Sequence, residues 1–334
     1  MLEIASKFNL EGSPLVVKNY ANGLVNKTYL VETTKHKYIL QRINNYVFKN
    51  PLKVMNNIEL ITRQLKEKNI PTLSIVYTKD LKNIYYDKSY QINLEVGKAI
   101  GEFQSILATC DTTNLNETIR DFHNTPLRLD RLEEVFQTLD STNIRKQKSS
   151  KIYYYLISQR EKISFIQHKI DKGIIPIRIA HNDTKLSNIM FDKNTKKALA
   201  LVDLDTVMPG TVLFDYADAI RTTSSTVHET EKDLSKVDLD SSKFVALTVG
   251  YLSKMHNVLN QAELNSLFDA VETIILECSI RFLTDYLEND SYFKIDYFEQ
   301  NYDRAINQLT LYMKCLDKET KFQELVKLII KRLQ

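Results

Sequence analysis

The sequence predicts an α+β protein of two lobes, a small β-rich N-terminal one and a larger, mostly helical C-terminal one. Three observations carry that prediction. Up to about Tyr86 the apolar residues fall in short runs rich in β-formers, interrupted by a single helical pattern. From about Leu94 the period changes to that of a helix and stays there to the end. The 334 residues suffice for two lobes, and 43% hydrophobic with 26% charged residues is the balance of an ordinary globular chain. The boundary falls between residues 93 and 94, with a ligand cleft expected between the lobes.

Within the first lobe, Leu15 to Tyr20, Thr28 to Thr33 and Tyr38 to Ile43 read as strands. Asn22-Gly23 signals a hairpin between the first two, and the polar stretch Thr33 to Lys37 makes the next turn. Leu52 to Lys68 is helical, with Met55, Ile58, Ile61 and Leu65 on one face; Pro51 suits its start and Pro71 follows its end. Leu73 to Tyr77 and Ile84 to Tyr86 are expected to add two short strands. In the second lobe Val96, Ile100, Phe103 and Leu107 form a stripe, and Gly97 and Gly101 allow a neighbour to come close. Further stripes are Leu129, Leu132, Phe136 and Leu139, then Leu267, Val271, Ile274, Cys278 and Phe282. Phe322, Leu325, Val326, Ile329 and Leu333 close the chain. All read as core. Tyr153, Tyr154 and Tyr155 point all round a helix, so at least one is exposed.

Charge and cysteine usage narrow the function classes. A net charge of +3 without a basic block points away from nucleic acid and membrane surfaces. The most basic run, NIRKQKSSK from Asn143, reads as a solvated helix start or loop. Cys110, Cys278 and Cys315 are odd in number and widely spaced, so three buried thiols in a reducing compartment are expected. The N-terminal residues lack a basic flank followed by an apolar core, and Val245 to Leu252 is far short of a membrane span, so a cytoplasmic location is the expectation.

The chemistry concentrates in HNDTKLSN, His181 to Asn188, and in VDLD, whose Asp203 lies twenty residues past Asp183. Phosphoryl transfer needs a carboxylate for the attacking hydroxyl, a cation for the moving phosphoryl group, and oxygen ligands for Mg²⁺. Asp183 can be the base, Lys185 the cation, and Asn188 with Asp203 the hard-oxygen pair that Mg²⁺ prefers. The spacing reproduces the protein-kinase loop H-x-D-x-K-x-x-N, and the apolar strand Leu199 to Val202 delivers Asp203. The competing account is that Asp183-Thr184 caps a short turn. Asp205, on the same strand face as Asp203, is expected either to reach metal-bound water or to make a structural hydrogen bond.

Beyond these positions the sequence resembles the N-acetylhexosamine 1-kinases. These belong to the aminoglycoside phosphotransferase and choline kinase family, which shares the two-lobed protein-kinase-like fold. The stretches that carry the resemblance are NGLVNKTYLV from Asn22, YILQRINNYVFKNP from Tyr38, GEFQSILATCD from Gly101 and FHNTPLRL from Phe122. They continue with HNDTKLSNIMFD from His181, VDLDTVMPGTVLFDYADAIR from Val202 and RFLTDYLENDSYFK from Arg281. FHNTP and RFLTDYL have no role in generic kinases and mark the subgroup.

The resemblance implies ATP and Mg²⁺ as cofactors and Asp183 as base on the anomeric hydroxyl of a sugar, with Asn188 and Asp203 holding the metal. It implies that Asp215 pins the catalytic loop, and Asp218 with Arg221 reads as a helix-face pair. It also implies a cation on the third strand for the nucleotide phosphates. Arg42 is chosen over Gln41 because a guanidinium grips phosphate, and Glu59 is its expected partner. Asn22, Gly23 and Asn26 belong to the implied phosphate loop, though a single glycine makes a weak cradle. Arg281 and Tyr292 are implied to contact the sugar, and His123 reads as structural. Two departures stand out: GLVN places Leu24 where the family tends to have His, and Leu73 to Gly97 is short for the usual hinge. The competing functions are a kinase of another small alcohol, aminoglycoside- or choline-like, and a nucleotide-binding pseudokinase.

Overall fold

The computed structural model describes residues 1–22, 26–43, 51–85, 88–110, 112–113 and 115–333, with the side chains of residues 21, 22 and 88 left aside. The chain divides into two compact units, Met1–Lys88 and Ser89–Gln334. The architecture is α+β, a small sheet-bearing unit followed by a mainly helical one, as the change of period predicts.

The N-terminal unit opens with α1 (Leu2–Ala5) and continues with β1 (Pro14–Asn22), β2 (Lys27–Thr33), β3 (Lys37–Arg42) and α2 (Pro51–Glu67). The three strands form one antiparallel sheet in the order β1-β2-β3. Asn22 pairs with Lys27 across the predicted hairpin, and Lys27 pairs with Arg42. The second turn closes through the Thr33 hydroxyl, which takes the amides of Lys35 and His36 and shares its one proton between the carbonyls of Glu11 and His36.

The two further strands expected after α2 are not strands among the described residues; Tyr86, the last of them, lies outside those residues. A strand needs a ladder, and the backbone here finds other partners. Tyr77 accepts from the Asn9 amide and Lys79 donates to the Lys7 carbonyl, with Phe8 bridging Thr78. The Thr78 hydroxyl then closes a tight turn on Asp80 and Lys82.

The C-terminal unit begins at Ser89, the second residue of α3 (Lys88–Leu107), a helix that starts six residues before the predicted change of period. It continues through α4 (Thr125–Thr138), α5 (Ile144–Ser158), α6 (Arg160–Asp171), β4 (Arg178–Ala180), β5 (Ile189–Phe191), β6 (Ala198–Leu201) and β7 (Met208–Gly210). Then follow α7 (Val212–Ser224), α8 (Ser241–Met255), α9 (Gln261–Asn265), α10 (Leu267–Leu287), α11 (Gln300–Leu316) and α12 (Glu319–Leu333). The basic run at Asn143 is the start of α5, where the Asn143 side chain caps Lys146. Helix α10 is buried on nearly every face and packs against α4, α6, α7 and α11. The predicted stripes of this unit are core at most positions: Val96, Ile100, Leu129, Leu132, Val271, Ile274 and Phe322 are all below 2% exposed, whereas Phe103, Leu107, Leu139, Cys278, Leu325 and Leu333 are half-buried. Tyr154 is the exposed member of the tyrosine triplet.

The glycines of α3 do what their spacing suggests. A Cβ on Gly97 would stand 2.1 Å from the Leu247 carbonyl of α8, and one on Gly250 would stand 2.1 Å from that of Leu94. The two helices cross with backbones in contact, and this fixes α3 against the body of the unit. The cysteine expectation needs correction. Cys315 is buried and Cys278 partly so, but Cys110 is exposed, because it follows the end of α3 instead of lying on its packed face. All three thiols are free. No described helix is long and apolar enough to cross a membrane.

Candidate active site

The loop His181–Asn188 leaves β4 and ends in a short 3₁₀ turn, Leu186–Asn188, that runs into β5. It is held from beneath by Asp215, in the first turn of α7. The Asp215 carboxylate accepts the His181 amide at 2.8 Å on Oδ2 and the Asn182 amide at 2.6 Å on Oδ1. Gln104 of α3 adds a third donor at 2.8 Å, itself held by the Tyr251 hydroxyl. Thr184 donates to the Asp215 carbonyl. Burial pushes the Asp215 carboxyl up, and these donors restore part of the loss. The pinning role expected of Asp215 is thus visible in its bonds.

The loop then presents three of the predicted residues together. Asp183 Oδ2 accepts from Lys185 Nζ at 2.7 Å and from Asn188 Nδ2 at 2.8 Å. Asp183 does not cap the 3₁₀ turn, whose first residue has no side-chain cap. Burial works against the Lys185 charge, but Asp183, then Asp203 and Asp218, outweigh it and hold the ammonium above its ordinary range. Asp203 therefore lies within electrostatic reach of this cluster.

Sheet pairing explains how Asp203 gets there. β5 and β6 form a hairpin with Ile189 opposite Leu201, and the Val202 amide donates to the Asn188 carbonyl at 2.9 Å. His181 adds a second tie, its Nε2 donating to the Val202 carbonyl at 3.1 Å. Asn188 and Asp203 thus end adjacent strands on the same side. Asp203 has φ 66° and ψ 57°, a left-handed backbone that a non-glycine residue adopts at some cost. Its carboxylate is exposed and takes no hydrogen bond from the described residues. With the Asn188 amide nitrogen turned to Asp183, the Asn188 oxygen faces away, with only the Ser187 hydroxyl near it at 3.4 Å. Two oxygen donors with little protein competition suit a hard cation that keeps most of its waters. Among the described residues no cluster of three His, Cys, Asp or Glu offers a richer metal cage. Asp205 is not on the strand as expected: it sits in a 3₁₀ turn, Leu204–Thr206, where its carbonyl accepts from Thr118.

Arg281 of α10 and Tyr292 also come together. The guanidinium lies 5.0, 5.9 and 5.5 Å from the rings of Phe122, Tyr292 and Phe293. It pairs with Glu277 at 3.7 Å, too far for a hydrogen bond, and no described residue accepts one from it. Its donors remain available beside two half-buried rings, Phe122 and Phe293, and the exposed ring of Tyr292. Asp285 builds the wall of this aromatic cage, taking the amides of Tyr292 at 2.7 Å and Phe293 at 2.9 Å. Asp218 and Arg221 form the expected pair at 2.9 Å.

A family model for the phosphotransferase enzyme family matches residues 16–234. The chain belongs to that family.

It is a phosphotransferase, a small-molecule kinase by family. Solved structures similar to it include the Plasmodium vivax ethanolamine kinase, 14% identical, covering 88% of this chain and 82% of that one at a TM-score of 0.45. The choline kinase of Cryptosporidium parvum Iowa II is 11% identical, with coverages of 95% and 96% and a TM-score of 0.43. A putative aminoglycoside phosphotransferase from Ralstonia eutropha JMP134 is 12% identical, with 99% and 96% covered and a TM-score of 0.42.

In the N-terminal unit of this phosphotransferase, Arg42 ends β3 with an exposed side chain. Glu59 is not its partner. No ion pair joins the two, because the Glu59 carboxylate is taken by the Tyr77 hydroxyl and by Asn83 Nδ2 at 2.8 Å. Those donors hold the Glu59 carboxyl below its usual range. Gly23 and Leu24 lie outside the described residues, as does the side chain of Asn22. Sequence reasoning missed Gln104, Glu277 and Asp285. Each is a polar residue interrupting an apolar stripe, which was the available signal.

Proposed function

We propose that this chain is an ATP- and Mg²⁺-dependent kinase that phosphorylates the anomeric hydroxyl of an N-acetylhexosamine, giving the sugar 1-phosphate. The observation that supports the chemistry is the shared hold of Lys185 and Asn188 on one oxygen of Asp183. That hold fixes the carboxylate and leaves its other oxygen, Oδ1, for the acceptor hydroxyl. Asp183 takes the proton as the hydroxyl attacks, a role worth about 10²- to 10⁴-fold. Lys185 faces the charge that develops on the phosphoryl group. Asn188 and Asp203 are the proposed ligands of Mg²⁺, which when bound neutralises phosphate charge and aligns the triphosphate. Arg42 is the proposed grip on the nucleotide phosphates, with Asn22, Gly23 and Asn26 in the loop over them.

Arg281 supports the sugar. A guanidinium with unused donors, flanked by three aromatic rings, suits a neutral polyol or acetamido group and repels a quaternary amine. A kinase of another small alcohol is the second reading, and the observation that favours it is Leu24, an apolar residue in the tetrad GLVN. Purified protein with ATP and Mg²⁺ decides between them when offered N-acetylglucosamine, N-acetylgalactosamine, unmodified hexoses, aminoglycosides and choline. ADP release only with the acetamido sugars is expected, along with a loss of about 10²-fold or more in Asp183→Asn. Turnover confined to the amines, or an Asp183→Asn protein at full rate, would overturn the reading.

A further inference from the structure

His123, in the turn before α4, has both ring nitrogens against acceptors. Nδ1 lies 2.9 and 3.2 Å from the two oxygens of Glu277, and Nε2 lies 3.4 Å from the backbone oxygen of Asn182. A carboxylate and an amide carbonyl only accept, so each contact needs a proton on the ring. A neutral imidazole carries one proton and would turn a lone pair toward one of the two oxygens. We propose that His123 is a positioning residue that acts as an imidazolium, tying the buried Glu277 carboxylate to the backbone of the catalytic loop. This rests on the reading of Asp183 as the base, since Asn182 immediately precedes it.

The surroundings favour the cation. From α10, Glu277 is 1% exposed and faces both His123 and Arg281. Arg128 of α4 acts on the same carboxylate, and Asp218 of α7 acts on the ring. The rings of Phe122 and Phe214 cover the imidazole at 4.6 and 5.5 Å. Burial alone would strip the proton from His123, but Glu277 outweighs it and holds the imidazolium above its ordinary range. Burial likewise opposes the Glu277 charge, and His123, Arg281 and Arg128 hold that carboxyl low. His123 and Asn182 also line a cavity of about 170 Å³.

The same Glu277 oxygen serves His123 and Arg281, so the bridge links the aromatic cage to the loop that carries the base. The sign follows from the direction of the shift. The bridge is complete below the ordinary histidine value of about 6.5 and is lost as pH rises through the higher folded value. Catalysis therefore acquires a falling alkaline limb.

The test uses the full chain labelled with ¹⁵N-histidine, with His123 assigned by its absence from the His123→Gln spectrum. Both ring nitrogens should carry protons at about pH 7.5, where an ordinary histidine is mostly neutral. Amides of residues 181–188 should exchange faster in His123→Gln. The rate constant kcat should drop about tenfold with KM for ATP unchanged, and the alkaline limb should vanish. A ring that holds a single proton at neutral pH overturns the proposal, as does unchanged exchange in the loop. Should His123→Gln fail to fold, His123 is assigned instead through its contact with the Phe122 ring, and Glu277→Gln must lower the His123 midpoint by at least about one pH unit; an unmoved midpoint refutes the bridge. If no acceptor is phosphorylated at all, the kinase reading fails, and the spectra and exchange still judge the bridge.

Discussion

Asp215 gives the sharpest test of how the catalytic loop is held. It is 1% exposed, and its two oxygens take three N–H groups, from His181, Asn182 and Gln104. Alanine removes both oxygens and leaves all three donors without their acceptor. A buried donor left unpaired costs about 1 to 3 kcal/mol, so three sum to roughly 3 to 9 kcal/mol. Burial of the carboxylate is itself unfavourable, and its removal returns part of that sum. The remainder is still a large share of the roughly 5 to 15 kcal/mol that keeps a domain folded. Asparagine keeps one acceptor. With its oxygen in the Oδ2 position, His181 and Gln104 stay paired, and the amide nitrogen opposes the Asn182 N–H. That single mismatch costs roughly 2 kcal/mol, or about 4 to 8 °C in Tm. Because Asn182 adjoins Asp183, the strain falls on the proposed base. Asp215→Asn should therefore fold and lose about 10²-fold in kcat, while Asp215→Ala should unfold at a far lower temperature. Thermal melts and ADP release measure both. An Asp215→Asn protein at full rate, or Asp215→Ala melting with the wild type, would refute the reasoning.

Two further outcomes test the frame around the site. Gly250→Ala forces a Cβ to within 2.1 Å of the Leu94 carbonyl, so α3 and α8 must separate; destabilisation of about 1 to 3 kcal/mol or more is expected in thermal melts, and none would contradict the close crossing. Glu272 of α10 is fully buried, with Lys162 Nζ at 2.6 Å, and burial pushes its carboxyl from 4.5 to about 7. The neutral acid is the form the fold prefers, so its stabilisation is complete below about 4.5 and is lost as pH rises to about 7. That interval is worth on the order of 3 kcal/mol. Glu272→Gln should flatten the fall of Tm between about pH 5 and 8, and equal slopes in the two proteins would count against it.

The catalytic loop was readable because its parts are local. Asp183, Lys185 and Asn188 sit within six residues, and a β-hairpin of ordinary length brings Asp203 to them. Gly97 was readable for a similar reason: a glycine facing out of an apolar stripe predicts a close neighbour, though not that Gly250 reciprocates from α8. The segment Leu73 to Tyr77 shows where such reading stops. Its residues have strand propensity, but propensity becomes a strand only beside an unpaired edge. Here only its last residue, Tyr77, pairs, with Asn9 nearly seventy residues earlier, and Thr78 and Lys79 carry that contact on to Phe8 and Lys7. Glu59 was expected to meet Arg42, and Tyr77 and Asn83 reached it first, because the turn at Thr78 folds that segment back toward α2.

The polar residues inside α10 make the general point. Glu272 and Glu277 both break a stripe that otherwise reads as buried, so each is visible in the sequence as an exception. What the sequence does not display is the answer to each exception. Glu277 finds His123 from 154 positions away, and that pair touches the loop of the proposed base. Among the described residues Glu272 finds one cation, Lys162, and keeps a carboxyl that prefers to be neutral. Two carboxylates five residues apart on one helix thus meet opposite electrostatic fates. The difference lies in which cations the other helices bring, and one-dimensional periodicity carries no record of that.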